Sequence, residues 1–526
     1  MFLYRSQAGR AVQHSSRMRR TLGRVHLQGQ KSQRTFSHAM PKMQFTAVYP
    51  PPPKKTSLKE IETILASGSP ASHDGTFGRQ WHVGLKSVPL LLQAAEKKPE
   101  LLSNCEALWI ESPDKGDVGK YDIEKPEVFA KKCEALSRLL DITASHGRLQ
   151  RFDWTWTPGV MDSGQPEISA KVWTSLAKNR RTLRSLNVTH TAHEYGEPYL
   201  ASWGAFALEG FSALRNLDLG LERAHGWPAS KLHQALKGLP GLTSLHLRCP
   251  YCCGLEDFAL ASHHPNLKSL TIHATTYPNQ VSAGDLKTED FLKRHPSIEF
   301  LDLMYLQDEK PLDGELKLDS EDLPNLRAIH VGSEQLEELD LTSRPIEAVS
   351  FDGFPEFETV STLPTDRIKY VFMKLDEPAD LQREAEDETW PLFLAKFPAL
   401  TELRLYVPTA GWGKRADPMN ERYLTYFLKL LSSTPSCASS LTALSFVDTL
   451  GKKSLKPAVL DNLPCDLTNL KYLGWDMDQN KWLYELHRSN GKVTGTPIQP
   501  LRPPTARNLF VDEAILDHFG ERAREW

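Results

Sequence analysis

The sequence predicts an α/β solenoid in which parallel strands line a concave face and helices cover a convex face, and three observations carry that prediction. An apolar triplet, with two residues and then one residue between its members, recurs through most of the chain. Segments of helical periodicity lie between the triplets, as a strand-plus-helix unit requires if each unit is to return to the start of the next. Several of these segments end in a proline placed just before the following triplet, where a residue that cannot continue a helix marks the turn into a strand.

The clearest triplets are Leu183-Leu186-Val188, Leu214-Leu217-Leu219, Leu242-Leu245-Leu247, Leu267-Leu270-Ile272, Ile298-Leu301-Leu303 and Leu326-Ile329-Val331. They recur every 25–31 residues, close to the period of roughly 20–29 expected of leucine-rich repeats. Softer copies extend the series upstream, at Cys105-Leu108-Ile110 and Leu149-Phe152-Trp154. Downstream they continue at Ile346-Val349-Phe351, Ile368-Val371-Met373, Leu400-Leu403-Leu405, Leu441-Leu444-Phe446 and Leu470-Leu473-Trp475.

Taken from the N-terminus, residues 1–56 read as a basic extension with a Pro-rich linker. The first 59 residues carry 12 Lys+Arg and no acid, which leaves 51 of the 63 Lys+Arg against all 66 Asp+Glu in the rest, a net charge of about −15 for the body. The extension is similar to a mitochondrial presequence, and Arg34-Thr35-Phe36-Ser37 resembles a matrix-processing site, so import through residues 1–36 is one expectation. The others are a disordered tail, or translation that starts at Met40 or Met43. Pro50 to Pro53 form a stiff spacer ahead of a helix expected near Leu58 to Leu65.

Residues 57–140 are read as an N-terminal helical cap with the first repeat, and residues 141–475 as the solenoid. Helical stripes are expected at Ile168, Val172, Trp173 and Leu176, at Leu232, Ala235, Leu236 and Leu239, and at Tyr423, Tyr426, Phe427 and Leu430. The proline turns are His264-Pro265, His295-Pro296, Leu323-Pro324 and Phe397-Pro398. Residues 476–526 are read as a terminal cap. In it Trp482, Tyr484 and Leu486 alternate ahead of an Asn490-Gly491 hairpin turn, and a last helix runs from about Asp512 to Arg524.

Strand side chains alternate between faces, so the residue between the second and third apolar slots belongs to the opposite, concave face. Asn187, Asp218, His246, Thr271 and Asp302 are therefore the expected contacts for an unknown protein partner. The acidic body disfavours nucleic acid as that partner. No run of about 18 apolar residues offers a membrane span.

The segments "PNLKSLTI", "PSIEFLDL", "PALTELRL" and "LTALSF" resemble the repeat region of fungal F-box and leucine-rich-repeat proteins, and Leu90 to Ile110 resembles the stretch leading into those repeats. The likeness covers roughly residues 85–490. It implies a substrate-recognition subunit that docks a ubiquitin-ligase scaffold and works in the cytoplasm or nucleus. The F-box opening itself is not recognisable upstream of Leu90, where Leu58-Lys59-Glu60-Ile61 is a faint echo, and no F-box residue is carried over. The Asn that commonly follows the strand is replaced by Thr189, Gly220 and Arg248.

Two chemical motifs compete with a binding role. Cys249-Pro250-Tyr251-Cys252 matches the dithiol of glutaredoxins, which makes a dithiol oxidoreductase using Cys249 and Cys252 the alternative function. A zinc site would add His246, His263 or His264 to Cys249, Cys252 and Cys253. The acidic run Glu384 to Glu388 reads as a solvated helix face. No phosphate loop, nucleophile elbow or zinc-protease helix is present. The expectation is thus a binding module, not an enzyme, with no catalytic residue, metal or cofactor.

Overall fold

The computed structural model describes residues 56–57, 59–62, 78–112, 126–156, 170–190, 208, 210–221, 236–250, 263–275, 288–305, 318–331, 336–337, 339–375, 389–406, 421–447, 466–475, 482–489 and 492–498. The basic extension, the Pro50 to Pro53 spacer, Cys252 and Cys253, the run Glu384 to Glu388 and the expected helix from Asp512 lie outside these residues.

Within them, sixteen strands form one open sheet in chain order. They are β1 (Gln80–Gly84), β2 (Ala107–Ser112), β3 (Arg151–Trp156), β4 (Ser185–His190), β5 (Asn216–Leu221), β6 (Ser244–Pro250), β7 (Ser269–Thr275) and β8 (Phe300–Tyr305). There follow β9 (Ala328–His330), β10 (Ala348–Asp352), β11 (Tyr370–Lys374), β12 (Glu402–Tyr406), β13 (Ala443–Val447), β14 (Tyr472–Trp475), β15 (Trp482–Ser489) and β16 (Lys492–Ile498). The sheet is mostly parallel, and only β15 and β16 run against their neighbours.

Each triplet straddles a strand start. Leu183 sits in the turn before β4 while Leu186 and Val188 lie in it, and all three are buried. The middle slot stacks on itself through successive strands, Leu186 on Leu217, Leu245, Leu270, Leu301 and then Ile329. Burying such a side chain contributes about 1.5–3 kcal/mol, and a one-residue slip would turn the whole leucine row to the other face, which fixes the register. These leucines share one continuous core with the helices.

Several of the turns share one hydrogen bond. The backbone N–H of the first slot donates to the carbonyl three residues back: Leu267 to His264 at 2.9 Å, Ile298 to His295 at 3.1 Å, Leu326 to Leu323 at 3.0 Å and Leu400 to Phe397 at 3.1 Å. Leu214 makes the same bond to Phe211 without a proline, also at 3.1 Å. Proline thus favours a turn that the repeat makes anyway, because its fixed φ suits the second turn position. Leu323 adopts a left-handed φ of 50°, uncommon for a bulky residue. The guanidinium of Arg344, 1% exposed, secures this region by donating to the carbonyls of Asp319 at 2.6 Å, Asp322 at 3.0 Å and Asp340.

Helices pack on the leucine face. In Ala170–Ala177, Val172, Trp173 and Leu176 are buried, and Trp173 meets Trp154 of β3 with ring centroids 6.0 Å apart. The helix Glu421–Ser433 corrects one expected stripe. It buries Phe427 and Leu430 as expected, adds Leu424, Leu428 and Leu431 to the buried set, and leaves Tyr426 36% exposed. Two apolar rows run side by side on this helix. The leucine row turns inward because a tyrosine hydroxyl stays better solvated at the surface.

The sheet also begins one strand earlier than the leucine pattern shows. In β1, Trp81 and Val83 fill the apolar positions, so a search for leucine triplets passes over it. Ahead of it Ser57 and Glu60 form a reciprocal capping box, with Ser57 N–H to the Glu60 carboxylate at 2.6 Å and Glu60 N–H to Ser57 Oγ at 3.2 Å. Thr56 N–H donates to the His82 carbonyl at 2.8 Å, which ties this segment to β1. At the other end β15 and β16 form an antiparallel hairpin closed by the pair Ser489 and Lys492, with Asn490-Gly491 between them in the sequence.

Candidate functional site

Opposite the leucine face, the residues between the second and third slots form a polar row in one register. Asn187 of β4 pairs with Asp218 of β5, then come His246, Thr271 and Asp302 of β6, β7 and β8. Asp153 of β3 and His330 of β9 continue it on either side. All five expected contact residues are therefore brought onto one face. Their exposure differs from the expectation. Asn187 is half-buried, whereas Asp218, His246, Thr271 and Asp302 are at most 2% exposed.

Such burial requires polar partners, since an isolated charge away from water costs several kcal/mol. The register supplies them from the adjacent strand. Asp218 Oδ2 lies 3.3 Å from Nδ1 of His246, and Asp302 Oδ1 lies 3.0 Å from Nδ1 of His330. Within β3, Arg151 donates to Asp153 through Nε at 2.9 Å and through Nη2 at 2.5 Å, and its guanidinium lies 4.9 Å above the Trp109 ring. Burial pushes the Asp153 carboxyl upward; Arg151 opposes this, and nearby Asp218 adds to it.

A second centre lies on β12. Glu402 is 6% exposed, and burial pushes its carboxyl up to about 8 although Arg404 sits 3.2 Å away and opposes the shift. Around it the face opens. Tyr370 pairs in register with Glu402, Phe372 with Arg404, and Tyr472 joins through β13, and Tyr370, Phe372, Arg404 and Tyr472 are all half-buried.

Asp153, His330 and Arg404 occupy the same between-slot position as the five expected residues. The triplets Leu149-Phe152-Trp154, Leu326-Ile329-Val331 and Leu400-Leu403-Leu405 are the signal that points to them. What no triplet signals is Arg151 or Glu402, which precede the middle slot and pair along their own strand.

A carboxylate beside an imidazole is a component of general acid–base sites, but a working pair needs contact with the group it protonates. Asp218 and His246 are enclosed. Cys249 lies in β6, its backbone in register with Ala274 of β7. Cys105 and Cys133 are buried free thiols, and burial pushes Cys105 up to about 12. His264 is fully buried with Nδ1 3.1 Å from the Leu239 carbonyl, while His263 is exposed. Among the described residues no group of three His, Cys, Asp or Glu side chains could hold a metal ion, and no helix is long and apolar enough to cross a membrane.

No family model and no curated protein matches this chain. Among solved structures it is similar to a protein of Bacteroides fragilis, 11% identical, over 64% of this chain and 67% of that one. The TM-score is 0.24, and at that value the likeness carries no argument.

Proposed function

We propose that this chain is a non-enzymatic protein-binding module: a leucine-rich-repeat solenoid whose polar sheet face is the concave one and receives a protein partner. The observation that carries the reading is the single register in which one apolar row runs from β2 to β14, with a polar row on the opposite face from Asp153 of β3 to Ser350 of β10. A surface of that kind offers an extended platform to a macromolecule, whereas catalysis needs a localised accessible pocket.

Burial decides where the platform can be touched. Asp218, His246, Thr271 and Asp302 hold the middle of the face together, so the partner contacts are assigned to Asn187 and to the open patch of Tyr370, Phe372, Arg404 and Tyr472. Aromatic residues and arginine dominate binding energy at protein interfaces. The narrower form of the proposal is a substrate receptor for ubiquitin ligation.

Affinity purification of the tagged full chain, beside a Phe372→Ala, Arg404→Glu variant, tests it. A partner retained by the wild type and lost by the variant is the expected result, and an unchanged set of partners would count against the reading. Recovery of ligase scaffold subunits would distinguish the receptor from a free-standing scaffold.

A further inference from the structure

The residue just before each strand forms a second row along the leading edge of the sheet. Its carbonyl accepts two N–H groups from the next strand's start. Gln150 accepts from Arg184 and Ser185 at 2.7 and 2.9 Å, Arg184 from Arg215 and Asn216 at 2.8 and 3.0 Å, and Arg215 from Thr243 and Ser244 at 2.8 and 3.0 Å. The backbone of this row is therefore fixed, with neighbouring members one strand spacing of about 4.8 Å apart.

Along much of the row acids alternate with bases. Arg79 meets Glu106 at 2.8 Å, Lys268 meets Glu299 at 3.1 Å, and Glu347 takes both Arg327 and Lys369. Between Glu106 and Glu299 the row contains no acid; its members there are Gln150, Arg184, Arg215, Thr243 and Lys268. The turns leading into β3, β4 and β5 add exposed Arg148, Arg180 and Arg181 to exposed Arg184 and Arg215. Asp141, on the helix Pro126–His146, is engaged by Lys178 at 2.7 Å, and the sequence of these turns contains one acid, Glu209. Of two glycines beside the guanidinium groups, Gly241 is the one whose missing Cβ makes room. A Cβ on Gly210 would lie 3.4 Å from Arg180, and one on Gly241 would lie 1.7 Å from Arg215 Nη1.

We propose that this arginine edge, at the leading ends of β3, β4 and β5, docks an acidic peptide segment of a protein partner. The inference rests on the binding-module reading and adds a surface separate from the open aromatic patch. Charge complementarity names the occupant, because arginine forks match carboxylates bidentately. Length narrows it. From β3 to β5 the edge spans two strand spacings, about 10 Å, which three or four extended residues cover with acids at alternate positions. A nucleic acid would need a longer basic track than these turns supply.

Fluorescence anisotropy of the full chain with labelled decaglutamate, beside an oligothymidylate of equal length, tests the proposal. Decaglutamate binding that weakens with salt, and falls about tenfold or more in Arg184→Glu, Arg215→Glu, is the expected result. An Arg180→Glu, Arg181→Glu variant gives the same readout should the first pair fold poorly. Absence of decaglutamate binding, binding unaffected by either variant, or tighter binding of the oligothymidylate would overturn it. The Phe372→Ala, Arg404→Glu protein should bind decaglutamate as the wild type does. Failure of the arginine edge is thereby separated from failure of the polar-face reading.

Discussion

The backbone N–H of His264 donates a hydrogen bond of 2.9 Å to Nε2 of His295, the residue in the equivalent turn of the next repeat. Nε2 must be unprotonated to accept it, so the proton of the neutral ring sits on Nδ1, which donates to the Phe291 carbonyl at 2.6 Å. The ring is stacked on Phe291 with centroids 3.9 Å apart. The backbone of His264 thereby joins one turn to the next.

This geometry makes the fold acid-sensitive. Burial lowers His295 to about 4, against the help of the Phe291 carbonyl, and burial also lowers His264. Above the ordinary histidine value both folded and unfolded chains hold neutral rings, and nothing is lost. As pH falls from about 6.5 to 4 the unfolded chain takes up protons that the folded chain refuses, so stability declines, by about 3 kcal/mol for His295. Urea midpoints measured across that window should fall with pH, and His295→Gln should flatten the slope. An unchanged slope would show that the ring titrates freely.

Glu402 has the opposite sign. Its folded value of about 8 lies above the ordinary carboxylate value, so the stabilising, protonated state is fully present below about 4.5 and its advantage is lost as pH rises through 8. Glu402→Gln should stabilise the protein relative to wild type at pH 9, by an amount on the order of 4 kcal/mol, with little difference at pH 4.5. Denaturant unfolding at the two pH values checks this, and equal effects at both would refute the shifted carboxyl.

Arg344 is expected to be among the costliest polar truncations. Arg344→Met leaves the carbonyls of Asp319, Asp322 and Asp340 without their donor, at a cost of about 3 kcal/mol. Arg344→Lys should recover only part of this, because an ammonium cannot reproduce a planar fork with three acceptors. Denaturant unfolding of the two variants checks the ranking, and equivalence of lysine to arginine would contradict it.

The two glycines beneath the arginine edge should respond differently to alanine. Gly210 has φ +86°, a region costly for a residue with a Cβ, so Gly210→Ala should destabilise by about 1–2 kcal/mol. At Gly241 the obstacle is the far end of the Arg215 side chain. Gly241→Ala should displace the guanidinium from the Gly241 carbonyl, 3.1 Å away, with a smaller loss of stability. Thermal melts compare the two, and a larger loss at Gly241 would show that Arg215 cannot move.

Much of the architecture was legible in the amino-acid pattern. Leu186, Leu217, Leu245 and their successors are periodic because each must reach the same core from the same strand position, and a periodic physical requirement leaves a periodic trace. The between-slot residues were legible for the same reason, as alternation places them on the other face. Where leucine gave way to Trp81 and Val83, the trace failed and β1 went unseen. Along Glu421–Ser433 two apolar rows competed, and composition could not rank them.

Burial and pairing across strands belonged to the folded chain. Asp218 and His246 are far apart in sequence, and nothing local to either says that strand register sets them 3.3 Å apart and away from water. The arginine edge has the same origin: Arg148, Arg184 and Arg215 become one surface because parallel strands bring their turns side by side. A solenoid writes its period into the chain because every repeat meets the same local constraint. The sum of charges along an edge, and which polar groups lose their water, depend on neighbours that only stacking supplies.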